Sequence, residues 1–580
     1  MHWQRLLHLG HRWLGIVLAG LVLLWLLSGL VMLFVARPQL SEDERLAWLP
    51  ALAPDSLQLT PLAAWQGLGR EGWPEAVRFD AEPGFTVYRF FAEKRWWTVD
   101  AASGRALPPL TGEAAAARVA ALLGGQVARV EPVERDQWTV YRRFDAWRPF
   151  YRVELADGRD GYVGRDSGEI VLDTATGERA WNWLGSVSHW LYFTALRQLG
   201  EVWRQAVLWL AALALLLGLS GLWLGWQRLR LRRPYRDGRA SPYREPAKRW
   251  HHLLGLAGGG FLCTWLFSGW LSLAPFGWAA GPDLRGEQLR LAGGRFDAAA
   301  LDWRPRLPPG TQSGEWRLLA GQPLVRLRGE FAGGVGEIAA GSVAGAVAAG
   351  AVAAGAVAAG AVAELPAESV AGLASGAVTG FAARPAGERA SRAAAGAAGE
   401  GGAAGEKTAS LLVDREQRLA PALDTTRLLA AAAELRPGVA FEASWLSEGD
   451  ADYYSLRHHP RVFPVLRLSF ADTVATRLYL DPASARLVHL ASRDTAAQRW
   501  LYHGLHRLDF PPLAALPGLR DGLVIAPSLL GIGLVACGSV LGWRRLCGWV
   551  SLATEAATCA ATEPVAEPVA EPVAEPVQPR

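Results

Sequence analysis

Histidine is the residue type whose spacing in this sequence points most directly to chemistry. The chain has 11 histidines, and seven of them lie close to an end of a long apolar stretch. Ionisable side chains are costly there and are therefore functional candidates, although a single histidine could equally well hydrogen-bond to headgroups or backbone. The seven residues are His8, His11, His189, His251, His252, His503 and His506.

An internal repeat links two of these histidines. Segments 11–30 and 251–270 match at an offset of 240 residues, with eight identities in twenty positions. That agreement is far beyond what apolar composition produces by chance, and a repeat reveals the structural unit. His11 and His251 are therefore expected at the same depth on two parallel helices. Two neutral imidazoles that face each other suit axial ligation of a haem iron.

The neighbours of this first pair leave details open. Gly15 and Gly255 lie four residues beyond the two histidines and would let a flat macrocycle approach, although close helix packing would use them equally well. His8 lies three residues before His11 and could replace it as the ligand. His252 cannot share a helix face with the residue before it and is a secondary candidate.

A second set of histidines predicts another site at the opposite membrane face. His189 precedes one apolar stretch, and His503 and His506 precede another, three residues apart on one helical face. Either could ligate iron opposite His189, with His506 favoured and the other serving a propionate or a supporting hydrogen bond. Structural zinc usually needs four ligands, more than these pairs supply. The prediction is two b-type haems that form an electron path across the membrane.

Long apolar helices must position these histidines. A bilayer core needs about 20 apolar residues per helix, and four stretches qualify: 13–35, 203–226, 251–275 and 522–543. The first is too long for a signal peptide and is interpreted as a retained helix.

Basic residues predict the orientation of these helices. The linker 227–250 carries nine Lys and Arg residues against two acidic ones, which places it in the cytoplasm. The N-terminus (1–12) and the tail (544–580) then lie on the same side. The predicted location is the inner membrane of a bacterium, with both termini cytoplasmic and both large loops periplasmic.

Each periplasmic loop predicts a small α+β domain. The first (36–180) has a helix near 113–123 and strands near 85–100, 126–131, 149–156 and 161–172. The second (276–498) has a helix near 424–434 and strands near 438–446, 464–471 and 475–489. Interfacial segments 181–202 and 499–521 follow the domains, and Trp190-Leu191-Tyr192 reappears as Trp500-Leu501-Tyr502. The predicted fold is four transmembrane helices in two repeated pairs with two α+β domains.

Two biased segments interrupt this pattern. Residues 332–406 are rich in Ala, Gly and Val, and residues 563–577 repeat Glu-Pro-Val-Ala. Small uniform side chains offer little specific packing, so both are expected to lack a fold.

Composition excludes several other classes of protein. The net charge is only +4, without a basic stripe, so no nucleic acid partner is expected. The four cysteines form no C-x-x-C motif and none lies in the large loops, which disfavours c-type haem, iron–sulfur clusters and loop disulfides. No glycine fingerprint for a nucleotide is visible.

The helix motifs resemble those of PepSY-associated transmembrane proteins. They read HRWLG (11–15), SHWLYF (188–193), WHHLLG (250–255) and WLYHGLH (500–506). In the loops, WTVDAASG (97–104) and YVGRDSGE (162–169) resemble the strand–turn–strand of PepSY domains. The resemblance covers most of the chain except 332–406 and the tail.

This resemblance implies a function as well as a fold. Characterised relatives include four-span ferric-siderophore reductases with two b haems, which makes reduction of a ferric chelate or siderophore the leading expectation. The electron donor would be a separate reductase, a quinol or a bound small molecule. The alternatives are a non-enzymatic membrane-anchored PepSY regulator or binding module, and an accessory subunit of a transporter. Haem content discriminates the regulator from the reductase.

Overall fold

A computed structural model describes residues 2–82, 84–277, 283–331, 409–458 and 460–562. The predicted insertion (332–406) and the Glu-Pro-Val-Ala repeats lie outside the described residues. The chain forms two compact units. The first comprises residues 1–26, 213–263 and 527–580, and the second comprises residues 27–212 and 264–526.

Four helices are long and apolar enough to cross a membrane. They are helix one (His2–Phe34), helix two (Glu201–Arg228), helix three (Pro246–Leu271) and helix four (Pro517–Thr562). Each of the four predicted stretches falls on one of them. Helix three ends four residues earlier than predicted, because Ala274 takes a left-handed conformation (φ 47°) before Pro275, which disfavours helix in the residue preceding it.

Shorter helical segments connect the remaining elements. The α-helical ones are Glu42–Leu46, Pro61–Gly67, Gly112–Leu123, Thr176–Asn182, Ser188–Trp190, Thr194–Arg197, Leu284–Ala292, Ala298–Leu301, Thr425–Leu435, Arg493–Ala497, Leu505–Arg507 and Pro511–Ala514. Single 3₁₀ turns cover Arg142–Trp147 and Pro275–Gly277, and wider π-helical turns cover Trp183–Val187 and Gln498–Gly504.

Fifteen strands form three antiparallel sheets among the described residues. They are β1 (Ala76–Glu82), β2 (Phe85–Ala92), β3 (Arg95–Asp100), β4 (Val127–Val133), β5 (Phe150–Leu155), β6 (Arg159–Gly164), β7 (Ile170–Ala175), β8 (Thr311–Leu319), β9 (Gln322–Gly329), β10 (Ala409–Asp414), β11 (Leu419–Ala420), β12 (Phe441–Leu446), β13 (Val465–Phe470), β14 (Arg477–Asp481) and β15 (Arg486–Ala491). The sheet orders are β11-β10-β9-β8-β1-β2-β3, β4-β5-β6-β7 and β12-β13-β14-β15.

The two four-stranded sheets are built alike. Helix Gly112–Leu123 packs on β4–β7 through a buried cluster that includes Val119, and helix Thr425–Leu435 packs on β12–β15 through one that includes Leu428. Both helices have the side-chain N-cap that a buried polar end requires, supplied by Thr111 and Asp424. The two helices predicted in the loops are therefore present within a residue of their expected ends.

The seven-stranded sheet joins the two loops and was not predicted from the sequence. Strand β1 from the first loop pairs with β8 from the second, so that Phe79 lies opposite Gly314. A side chain at Gly314 would collide with the ring of Phe79, which explains why glycine stands in this strand. Pairing between segments more than 200 residues apart has no local sequence signal, so propensity alone could not reveal it.

A buried ionic network lies where this sheet meets the first four-stranded sheet. Arg89, only 1% exposed, donates to both Asp80 and Glu82. Arg45 also donates to Asp80, at 3.0 Å. Although burial opposes ionisation, the guanidiniums of Arg45 and Arg89 hold the pKa of Asp80 well below its ordinary value. The network therefore contributes to stability only while every charge keeps its partner.

Substitution of Arg89 should be strongly destabilising. In Arg89→Leu the two buried carboxylates lose their shared partner, and we expect the free energy of unfolding to fall by about 3–5 kcal/mol. In the matched control, Arg129→Leu on β4, the exposed ion pair with Glu131 is lost, at a cost of at most about 1 kcal/mol. Urea unfolding of the detergent-solubilised chain, followed by tryptophan fluorescence, measures the difference. Equal losses in the two variants would contradict the assigned role.

Candidate functional site

The first histidine pair joins helix one to helix three. The ring centroids of His11 and His251 lie 6.2 Å apart, with an interplanar angle of 52°. The Nδ1 of His11 lies 3.2 Å from the carbonyl oxygen of Leu217, and the Nδ1 of His251 lies 3.2 Å from that of Leu534. A carbonyl oxygen can only accept, so each Nδ1 carries the hydrogen and each Nε2 keeps the lone pair that a metal ion requires.

The second pair has the same construction with different partners. The rings of His189 and His506 lie 6.2 Å apart at 60°. Their Nδ1 atoms each lie 3.1 Å from a serine hydroxyl, Ser28 Oγ and Ser268 Oγ respectively. Ser268 donates its own hydrogen to the carbonyl of Thr264 at 2.7 Å, so its oxygen accepts from His506. Burial, followed by the neighbouring His189, lowers the pKa of His506 to about 3, which keeps this imidazole neutral.

A glycine lies against each of the four rings. Adding a Cβ at any of these glycines would bring it to within 2.7–3.4 Å of the Cε1 atom of the adjacent imidazole. The four contacts are Gly221 with His11, Gly538 with His251, Gly29 with His189 and Gly269 with His506. At Gly221 a Cβ would therefore displace the ring, whereas at the other three glycines the contact would be tight and a small shift would be enough.

The spacing of the rings fits one metal ion between each pair. Two imidazoles that bind a metal ion from opposite sides have centroids about 6 Å apart, because each metal–nitrogen bond is about 2 Å long. Among the described residues, no group of three or more His, Cys, Asp or Glu side chains is placed to hold a metal ion. An ion held by two imidazoles then needs its remaining ligands from a group that it brings with it, as haem iron does.

The other predicted histidines lie outside these pairs. His8 is exposed, and its Nδ1 lies 2.8 Å from the carbonyl of Gln4 in the preceding turn. His503 packs its ring against that of Tyr502, with the ring centroids 4.8 Å apart, and belongs to neither facing pair. His252 is buried and hydrogen-bonded to Ser241 Oγ at 2.9 Å. The structure thus brings together four of the six predicted ligands, as the pairs His11 with His251 and His189 with His506.

Gly15 and Gly255 contact neighbouring helices, as the helix-packing alternative predicts, while their role beside a macrocycle stays a prediction. Gly15 faces Leu217 and Gly255 faces Leu534, which are the residues whose carbonyls accept from the two histidines. They therefore let the neighbouring helix approach closely. The glycines that contact the rings were not singled out from the sequence, apart from Gly29 and Gly269, which are among the repeated identities.

The approaches to the second pair correspond at an offset of 317 residues. Both end in a left-handed leucine two residues after the histidine, Leu191 (φ 51°) and Leu508 (φ 52°). The preceding strands carry a β-bulge at Tyr162 in one case and at Tyr479 in the other. The structural counterpart of Trp500-Leu501 is therefore Trp183-Leu184. The match of Trp500-Leu501 with Trp190-Leu191 in the sequence is seven residues out of this structural register, so the identity of these residues is coincidental.

Comparison with known proteins agrees with this architecture. No curated protein matches the chain. The model of the PepSY-associated TM region matches residues 8–397, well over half of the chain and including His11, His189 and His251. Together with the four apolar helices, this match shows that the chain is a membrane protein belonging to the PepSY-associated TM region family.

Proposed function

We propose that this protein is a b-type haem oxidoreductase of the bacterial inner membrane, which passes electrons to a ferric chelate or siderophore in the periplasm. The observation that carries the proposal is the pair of imidazoles found twice, at the same 6.2 Å spacing. Two imidazoles that face each other at this spacing suit the binding of a metal ion between them.

The side chains fit the group that the proposal requires. His11 with His251, and His189 with His506, would hold one haem each. A b-type haem at each pair would supply a one-electron couple within the apolar layer. The protein's part is to fix the tautomer of each imidazole through its Nδ1 hydrogen bond, and to keep the ring in place against a glycine. His8 and His503 are assigned no ligand role in this proposal.

Charge distribution supports the orientation that the proposal needs. The linker 227–250 between helices two and three is rich in arginine, and Arg544 forms an ion pair with Glu245 of that linker at 2.7 Å. We therefore place the linker and both termini in the cytoplasm. The first pair then lies toward the cytoplasmic face, and the second pair and the three sheets lie toward the periplasm.

The matched features of the two halves support an origin by duplication. In each half a tyrosine of the third strand of the four-stranded sheet donates to an aspartate. Tyr162 of β6 donates to Asp136 at 2.5 Å, and Tyr479 of β14 donates to Asp450 at 2.9 Å. We assign each half a PepSY-like domain and a pair of helices.

The electron donor is a separate cytoplasmic reductase or a membrane quinol in this proposal, since the sequence has no nucleotide-binding fingerprint.

Haem content tests the proposal directly. A dithionite-reduced minus oxidised spectrum of the purified protein should show b-type bands and about two haems per chain. His11→Ala and His189→Ala should each remove about one of them, because each leaves its partner imidazole alone. His8→Ala is the matched control and should keep both. A featureless spectrum from folded protein made with ample haem would sink the proposal and favour the PepSY regulator.

The glycine contacts make a second prediction. In Gly221→Ala the new Cβ would lie 2.7 Å from Cε1 of His11 and force the ring to move. We expect haem affinity at this pair to fall about 10- to 100-fold, as for other residues that orient a metal ligand. Gly20→Ala in helix one is the control, since no atom lies within 4 Å of its Cβ. Haem retained per chain after purification measures both, and equal retention would contradict the assigned contact.

Orientation can be measured with single cysteines. In a chain with its four native cysteines replaced by serine, Asp55→Cys places a thiol in the first loop and Arg236→Cys places one in the linker, both at exposed positions. A membrane-impermeant maleimide added to intact spheroplasts should label the first and not the second, and should label both after lysis. The reverse pattern would overturn the orientation and leave the haem assignment standing.

A further inference from the structure

The two halves differ sharply beside the second histidine pair. At the offset of 317, which the left-handed leucines and the β-bulges support, five uncharged residues of the first half correspond to five ionisable residues of the second. Leu172, Asn182, Ser186, Trp190 and Tyr192 correspond to His489, Arg499, His503, Arg507 and Asp509. The ligand His189 and its counterpart His506 are the same on both sides. At these five positions the charge is found in the second half only, whereas the first half brings Arg37 and Arg197 to Trp190 and Tyr192 from other positions.

Four of the surrounding side chains form a half-buried group, here called the cationic cluster: Arg461, His489, Arg499 and His503. Two adjacent tyrosines carry the guanidiniums, with Arg461 over the ring of Tyr453 at 4.9 Å and Arg499 over that of Tyr454 at 4.9 Å. His489 packs against Tyr453 at 5.8 Å. The cluster is thus built by the β12–β13 connection, strand β15 and the π-helical turn.

The electrostatics of the cluster agree with this placement. Burial, followed by the charges of Arg507 and Arg499, lowers the pKa of His503 to about 4. Burial, followed by the charge of Arg461, lowers the pKa of His489 to about 4. Both imidazoles are therefore neutral near pH 7, and the positive charge of the cluster resides on the arginines.

Within the part of the chain that the structure describes, neither arginine of the cluster forms an ion pair. Arg499 donates instead to the backbone carbonyl of Asp509, at 2.8 Å. Three carboxylates that interact with the cluster form ion pairs with other arginines: Asp450 with Arg467, Asp452 with Arg477, and Asp509 with Arg520.

Two buried donors of the cluster also lack a partner among the described residues. They are Arg461 Nε and Arg499 Nη1. Buried charged donors are costly when unsatisfied, and such groups call for an acceptor.

Tyr502 connects the cluster to the ligand pair. Its ring lies 4.8 Å from His503 and 5.5 Å from His506. A molecule held by the cationic cluster would therefore be only one aromatic ring from His506. In the first half Gly185 takes the position of Tyr502, so the corresponding connection is missing.

We propose that the cationic cluster of the second half is the docking site for an anionic ferric chelate. This inference rests on the proposed function and names its substrate class. Guanidiniums with unpaired donors recognise carboxylate and similar oxyanions. Arg461 and His489 belong to the sheet domain and not to the spans, which favours a soluble ligand over a lipid headgroup or a haem propionate.

Equilibrium binding of a redox-inert probe tests the site. The gallium(III)–EDTA complex has the charge of its ferric counterpart but cannot be reduced. Its affinity is measured for the holoprotein in phosphatidylcholine nanodiscs. The double variant Arg461→Gln/Arg499→Gln should weaken its binding at least about tenfold, since two charge-assisted contacts are lost. Arg461→Lys/Arg499→Lys should restore part of the affinity. Arg415→Gln, on an exposed turn, is the control and should leave it unchanged.

Three outcomes would overturn the inference. Unchanged affinity in the double variant, with full haem content, would show that the cluster does not dock the chelate. Loss of haem in that variant would assign the arginines to the propionates. An effect seen only in nanodiscs with anionic lipid would assign them to headgroups. A wild-type protein that binds the gallium complex but contains no haem would instead refute the proposed function and leave the anion site in place.

Discussion

An imidazole N–H inside an apolar helix bundle must find an acceptor, and this requirement organises the site. In each of the two pairs, the Nδ1 atoms are tied to helices other than their own, through the carbonyls of Leu217 and Leu534 or the hydroxyls of Ser28 and Ser268. Without water to substitute for these partners, each bond fixes the ring and its tautomer together. The glycines follow from it, because a ring held this way leaves room for no side chain beside it.

The buried charges of the sheet region likewise need partners, as the imidazoles of the helices do. Arg89 lies between two buried carboxylates, and each of them has one further arginine partner, Arg45 for Asp80 and Arg118 for Glu82. Such a network is weak evidence of net stabilisation, but its geometry specifies one arrangement of neighbouring sheets. The pairing of β1 and β8 also joins the two loops through a shared sheet.

The difference between the halves is as informative as their likeness. In both halves a histidine follows the same series of elements: a bulged strand, a π-helical turn and then, two residues after the histidine, a left-handed leucine. This common backbone frame places the ligand. Only the second half adds Arg461, Arg499 and two neutral imidazoles around that frame. Because Arg461 and Arg499 each keep a buried donor without a partner among the described residues, their presence favours a role in recognition over one in folding.

The sequence by itself determined the elements whose signals are local. Apolar length located the four helices, and the offset of 240 paired His11 with His251. The helices predicted near 113–123 and 424–434 lie within a residue of the observed ones. Only the tertiary structure decided which of His503 and His506 faces His189, because both lie on one helical face and the choice depends on Ser268 of another helix. The shared sheet and the ring-contacting glycines were likewise decided there. Each depends on contacts between distant segments, which no local pattern records.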